Sequence, residues 1–222
     1  MANILCIETA THNCSVALVQ GGEVNALREE SSQRYVHAEK LHPFIESVLQ
    51  EAELNANQLD AVCVSHGPGS YTGLRIGVSA AKGLCFATNL PLIALDTTAV
   101  LANSIQTSYD RMIAVIDARR DEVYAQVFNA EKEPITELEA IELIESSFAE
   151  YASQSVAIVG DAAEKTASLI SLRADIFQHY PSAGNMASLA TDAFMAKKFV
   201  DLAYHEPFYL KDFIAGKPKK LL

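Results

Sequence analysis

Met112-Ile113-Ala114-Val115-Ile116-Asp117 is a short apolar run closed by an acid, and Ile4-Leu5-Cys6-Ile7-Glu8 has the same form near the start of the chain. Each run meets a second strand-like segment soon afterwards, residues 14–19 in the first half and 122–128 in the second. A short apolar run bounded by turn residues reads as a buried strand. The same opening occurring twice in 222 residues predicts one plan used twice, although no sequence repeat is obvious.

Working outward from these openings, Gly21-Gly22 supplies a turn into a third strand at 24–29, which makes an antiparallel meander. Leu41, Phe44, Ile45, Val48, Leu49 and Ala52 recur at helical spacing, and Pro43, lacking an N–H, is expected near the first turn or at a bend. A strand at 61–65, a helix at 70–88 and a strand at 92–95 complete the first half. The second half reads as strands at 112–117 and 122–128, then a weaker third strand near 135–138. A helix at 141–151, a strand at 156–159 and helices at 162–173 and 187–203 follow. The expected class is α/β, with duplicated βββαβα units forming two lobes around a cleft. That is the architecture of the actin, sugar-kinase and Hsp70-ATPase (ASKHA) class. The lobes are expected at 1–105 and 106–222, with the crossing at 103–111 and the C-terminal helix free to rejoin the first lobe.

Composition narrows the function classes. Half of the residues are hydrophobic and a fifth charged, as in ordinary folded domains, which excludes a disordered or fibrous chain. Seventeen Lys and Arg against 28 Asp and Glu leave a net charge of −11. A protein that wraps nucleic acid by itself needs a basic surface, so this balance argues against one. The four cysteines, Cys6, Cys14, Cys63 and Cys85, contain no CxxC pair and are expected as reduced, buried thiols. The N-terminus has no signal-peptide pattern and no segment approaches a membrane span, so a soluble cytoplasmic protein is expected.

The most informative motif is Ser65-His66-Gly67-Pro68-Gly69-Ser70-Tyr71-Thr72-Gly73-Leu74-Arg75, which runs from a strand into a helix. A helix start can bind an anion through its free N–H groups. Neither a Walker loop nor a dinucleotide fingerprint is present, because no Gly-Lys-Ser/Thr follows and the third glycine falls one residue late. A tight turn whose glycines take positive φ is the competing reading. In the helix that follows, Gly73, Gly77 and Ala81 recur every four residues beside a stripe of Leu74, Val78, Ala81 and Cys85. Glycine inside a helix costs about 0.5–1 kcal/mol relative to alanine, so close packing is expected to offset it. The packing partner is either the 41–52 helix or a second subunit.

With these residues in view, the sequence resembles the bacterial TsaB (YeaZ) family. The resemblance rests on Gly67 to Gly77 with Ala81-Lys82-Gly83-Leu84, and on Ile7-Glu8-Thr9-Ala10 with Cys14-Ser15-Val16-Ala17-Leu18. Leu41-His42-Pro43, Ile116-Asp117-Ala118-Arg119, Asp121-Glu122-Val123-Tyr124, Val159-Gly160-Asp161 and Pro207-Phe208-Tyr209-Leu210-Lys211 extend it in order along nearly the whole chain. It implies a non-catalytic subunit that binds and activates a TsaD-type transferase, with a TsaE-type ATPase as further partner. The product is N6-threonylcarbamoyladenosine at position 37 of tRNAs that read codons beginning with A. It also implies self-association into a homodimer through the same surface, placed here on Leu41, Phe44, Ile45 and Val48 and on Gly73, Leu74, Gly77, Val78, Ala81 and Cys85. The acidic charge leaves tRNA contact mainly to other subunits.

The class's catalytic features are weakened. Glu8-Thr9-Ala10 stands where active members carry Asp-x-Gly, Asp117-Ala118-Arg119 again lacks the glycine, and Gly160-Asp161-Ala162 lacks a second glycine. Glu8, Thr9, Gly67, Gly69, Ser70, Asp117 and Gly160 are therefore candidates for a vestigial nucleotide or anion site, with no catalytic residue and no cofactor expected. Of the six histidines only His37 and His42 lie close in sequence, and five residues turn about 500° around a helix, so no metal centre is expected. The hydrolase elbow G-x-S-x-G is absent around Ser70. Asp117 with Arg119, and Asp121 with Glu122, are expected either to take part in inter-lobe salt bridges, the preferred reading, or to line a vestigial cleft. Lys211, Lys217, Lys219 and Lys220 form the one basic cluster, expected as a solvated tail. The rival function is a stand-alone ATPase or small-molecule kinase of the same fold.

Overall fold

The computed structural model describes residues 2–32 and 36–211. In the first half, β1 (Asn3–Glu8), β2 (Asn13–Gln20) and β3 (Glu23–Ser31) form the meander, followed by α1 (His37–Glu51), β4 (Ala61–Gly67), α2 (Tyr71–Thr88), β5 (Leu92–Asp96) and α3 (Thr97–Ser104). The second half holds β6 (Arg111–Asp117), β7 (Glu122–Phe128), β8 (Glu139–Glu142), β9 (Val156–Gly160), α4 (Ala163–Leu169), β10 (Asp175–Gln178) and α5 (Ala187–Met195).

The duplication is clearest in the sheets. The first has the order β3-β2-β1-β4-β5 and the second β8-β7-β6-β9-β10. In both, the first two hairpin pairings are antiparallel and the fourth strand joins the first in parallel, with Ile4 opposite Ala61 and Arg111 opposite Val156. The fold is the two-lobed ASKHA architecture. Parallel strands covered on both faces need continuous apolar runs, and 61–65 and 156–159 supply them.

The helices show where sequence patterning fails. α3 carries the β-branched residues Thr97, Thr98 and Val100, weak helix formers, yet these are buried, and Leu101, Ala102 and Ile105 pack with Met112, Ala114 and Ile116 of β6. Tertiary packing makes this helix, which the sequence reading missed. The helix expected at 141–151 is instead β8, paired through Ile141 to Val123, followed by turns and a 3₁₀ segment at Ala149–Tyr151. The hydroxyl of Ser147 accepts the Ile144 amide at 3.0 Å, which offers the backbone an alternative to helix, and Phe148 takes φ 62°. The third strand begins at Glu139 rather than near 135. Before it, the Thr136 hydroxyl takes the Val127 amide that a ladder carbonyl would take. The helix expected at 162–173 stops at Leu169, and β10 was not foreseen.

α5 ends at Met195 rather than near 203. Lys197 adopts φ 53°, and the amides of Lys197 and Lys198 bond back to Phe194 and Ala193, a left-handed helix stop. Val200 then pairs with Leu92 on the edge of the first sheet. α5 lies against that sheet too, with Ala190 and Ala193 packed among Ile4, Cys6 and Ala17. α1 begins at His37, so Pro43 sits in its second turn and the helix runs through it. Among the described residues, no helix is long and apolar enough to cross a membrane.

Candidate functional site

A cleft of about 1060 Å³ separates the lobes. One wall is the β1–β2 turn (Ala10, Thr11, His12) with the approach to α2 (Pro68 to Thr72), and the other is the β6–β7 turn (Ala118, Arg119, Arg120) with Asp161. Phe208 to Lys211 lie along it. Of the vestigial-site candidates, Gly69, Ser70 and Asp117 line the cleft, whereas Glu8, Thr9, Gly67 and Gly160 do not.

On the first wall the turn is locked to the start of α2. The amide of Ser70 donates to the Ala10 carbonyl at 2.6 Å, and the Ser70 hydroxyl caps the helix by accepting the Gly73 amide at 3.3 Å. The Ala10 amide donates to Glu8 Oε1 at 2.6 Å. A Cβ at Gly69 would stand 2.3 Å from the Ala10 carbonyl oxygen, so the glycine permits this contact between two backbones. The turn and the helix start therefore use these donors on one another, and they do not fit the phosphate cradle that the fold class implies. Glu8 is wholly buried, and burial pushes its carboxyl up to about 7 against the pull of bonds from the Ala10 amide, the Ser65 hydroxyl and the Thr9 amide.

The second wall keeps its acids nearer water. Asp117, the counterpart of Glu8, is exposed and pairs with the Lys165 ammonium, which also donates to the Arg120 and Glu122 carbonyls at 2.9 and 2.8 Å. Asp117 therefore pairs with α4 inside the second lobe instead of across the lobes, while both it and Arg119 line the cleft. Asp161 accepts the Asp117 amide at 2.9 Å, and its carboxyl is pushed up to about 6, by burial first and then by the Asp117 charge. Gly160 has φ 142°, and a Cβ there would meet the Val115 carbonyl oxygen at 1.8 Å. It lets β9 lie against β6 and does not face the cleft. Glu122 takes the Lys211 ammonium, an ion pair the sequence could not show. Lys217, Lys219 and Lys220 lie outside the described residues.

The proposed interface residues have a different placement from the one expected. Leu41, Val48, Leu74, Val78, Ala81 and Cys85 are buried in the core of the first lobe. Gly73 and Gly77 face Thr9: added Cβ atoms would stand 2.1 Å from its carbonyl oxygen and 2.2 Å from its hydroxyl, respectively. The offset to their helix cost is thus the seating of α2 on the β1–β2 turn, and these eight residues are not surface groups. Phe44 and Ile45 are half-buried. What α2 does present outward is Thr72, Arg75, Ser79, Gly83, Phe86 and Ala87, with Phe86 84% exposed. Sequence spacing marks this face as readily as the buried one, but Phe86, the only large apolar residue on it, is not part of the stripe that the sequence singles out. The sequence reading missed Arg120, which like Arg119 sits at positive φ in the β6–β7 turn, and the aromatic lining of Tyr71, Tyr180 and Tyr209.

Comparison with known proteins extends this geometry. The family model described as TsaD, tRNA N6-adenosine threonylcarbamoyltransferase, matches residues 29–207. The tRNA threonylcarbamoyladenosine biosynthesis protein TsaB of Escherichia coli is 30% identical over 228 residues, covering 96% of each chain. The protein of the same name from Bacillus subtilis is 32% identical over 56% of this chain and 54% of its own. The solved structure of YeaZ from Pseudomonas aeruginosa superposes with a TM-score of 0.85 at 28% identity, covering 95% of this chain and all of that one.

Proposed function

This chain belongs to the TsaB (YeaZ) family, and from that premise we propose that it serves tRNA threonylcarbamoyladenosine biosynthesis as a non-catalytic subunit that binds and activates a TsaD-type transferase. The observation that carries this reading is the outward face of α2, where Phe86 stands 84% exposed one turn beyond Gly83, whose Cα faces open space. An aromatic side chain kept in water beside small residues is the kind of anchor that a partner's pocket covers. The non-catalytic role draws support from the first wall of the cleft, where the Ser70, Gly73 and Ala10 amides bond internally and Glu8 is buried away from any substrate. That arrangement disfavours a stand-alone ATPase or kinase. The same α2 face serves a second copy of the chain when the transferase is absent, and a TsaE-type ATPase joins the assembled pair.

Phe86→Glu tests the reading without touching the core. It is expected to leave the fold intact and weaken binding of the TsaD-type enzyme by about 30-fold, the effect of losing one anchor of about 2 kcal/mol. Modification of tRNA in a reconstituted assay should fall with it. Unchanged binding by calorimetry together with undiminished modification would overturn the assignment of this face.

A further inference from the structure

The last described residues run from one lobe to the other. Lys82 of α2 donates to the carbonyls of Ala203 and His205 at 3.3 and 2.8 Å, which ties this segment to the first lobe. The His205 ring stacks on His66 at 5.3 Å, and the Phe208 amide donates to the His66 carbonyl at 2.7 Å. Gly67 has no Cβ where the Phe208 carbonyl oxygen passes, and the Tyr209 ring lies 4.8 Å from that of Tyr71. Two residues later Lys211 leaves this support. Its ammonium pairs with Glu122 of β7 and lies 5.8 Å from the centre of the Tyr124 ring, both in the second lobe.

We propose that residues 205–211 are a brace across the mouth of the cleft, anchored on β4 and α2 and latched to the second lobe through Lys211 and Glu122. Anchorage is extensive on one side and narrow on the other, so the latch is the part that opens. The backbone and ring contacts on His66, Gly67 and Tyr71 hold the strap in place, whereas on the second lobe one partly exposed ion pair and one ring receive it. With the latch made, the gap between lobes is set and the chain's own Phe208 to Lys211 line the cleft; with it broken, the β6–β7 turn is free to move away from α2. This brace stands independently of the partner surface on α2.

Charge reversal tests it on the full chain. Lys211→Glu should speed hydrogen exchange at the Phe208 amide and at the Ala118 and Glu122 amides of the β6–β7 turn by about two- to fivefold, the range for an ion pair of this exposure. The distance distribution between spin labels on Thr72→Cys and Arg120→Cys should broaden in the same variant. Adding Glu122→Lys should restore both readouts by re-forming the pair with reversed polarity. Unaltered exchange and label distances in Lys211→Glu, or a double variant no closer to the parent than the single one, would overturn the brace.

Discussion

The first lobe covers its sheet with α1 and α2, 15 and 18 residues long, whereas the second has a three-residue 3₁₀ segment and the seven-residue α4 at the corresponding places. Strand order and pairing sense are the same in both. The sheet is thus the part of the duplicated unit that has to be kept, because every interior strand satisfies its backbone through its neighbours. Helices are additions that a lobe can shorten while its sheet still finds cover. The lobe that kept them also carries the exposed Phe86 of α2, so the proposed partner surface and the long helices lie together.

Equivalent positions in the two lobes give ways to break this comparison. Gly67 and Gly160 each close the fourth strand of their sheet at positive φ, but the first abuts the strap at Phe208 and the second abuts the core strand β6. Gly160→Ala should cost about 4 kcal/mol, combining backbone strain with overpacking against a strand that cannot retreat. Gly67→Ala should cost about 2 kcal/mol, because the strap can lift. Urea denaturation of the two variants measures the difference, and equal losses would mean that the strap is as fixed as β6.

Glu8 and Asp117 end the first strands of the two sheets in opposite environments. Since burial raises Glu8 from 4.5 to about 7, the folded state favours its protonated form. The stability this gives is fully present below about pH 4.5 and is lost as pH rises through 7, a loss of about 3 kcal/mol. Glu8→Gln should remove that slope from the pH dependence of the unfolding midpoint. Asp117→Asn breaks only an exposed pair with Lys165 and should change stability by under about 1 kcal/mol. Asp161, pushed up to about 6, keeps its own slope at lower pH, so a slope between about pH 6 and 7 that survives Glu8→Gln would place the titrating group elsewhere.

The smallest effect separates the two faces of α2. Gly83 faces open space, so Gly83→Ala should stabilise the chain by about 0.5–1 kcal/mol in thermal unfolding, against the losses expected at buried glycines. A loss there would show that the outward face is covered by something within the chain.

Much of the sheet was legible. The apolar runs around Ile4, Val62, Ile113 and Val156 marked four buried strands, since a strand covered on both faces leaves a contiguous hydrophobic signal. β10 was not legible, because Asp175 to Gln178 form an edge strand with exposed side chains and no such signal. α3 was hidden by its β-branched residues and α5 was overextended, because the left-handed stop at Lys197 carries no glycine to announce it. The cleft candidates Gly69, Ser70 and Asp117 were found from their positions at strand ends. The strap was not, as nothing in Phe208-Tyr209-Leu210-Lys211 says which lobe it will touch.

The duplicated plan, the family and the stripe of small residues on α2 can be read from the residues alone, whereas what that stripe meets depends on how the elements pack. Helical spacing tells which side chains share a face, but a face of glycine and alanine can admit a neighbouring helix or a turn of the same lobe equally well. Here Thr9 fills the space above Gly73 and Gly77, and the side of α2 that faces outward is the one that ends in Phe86.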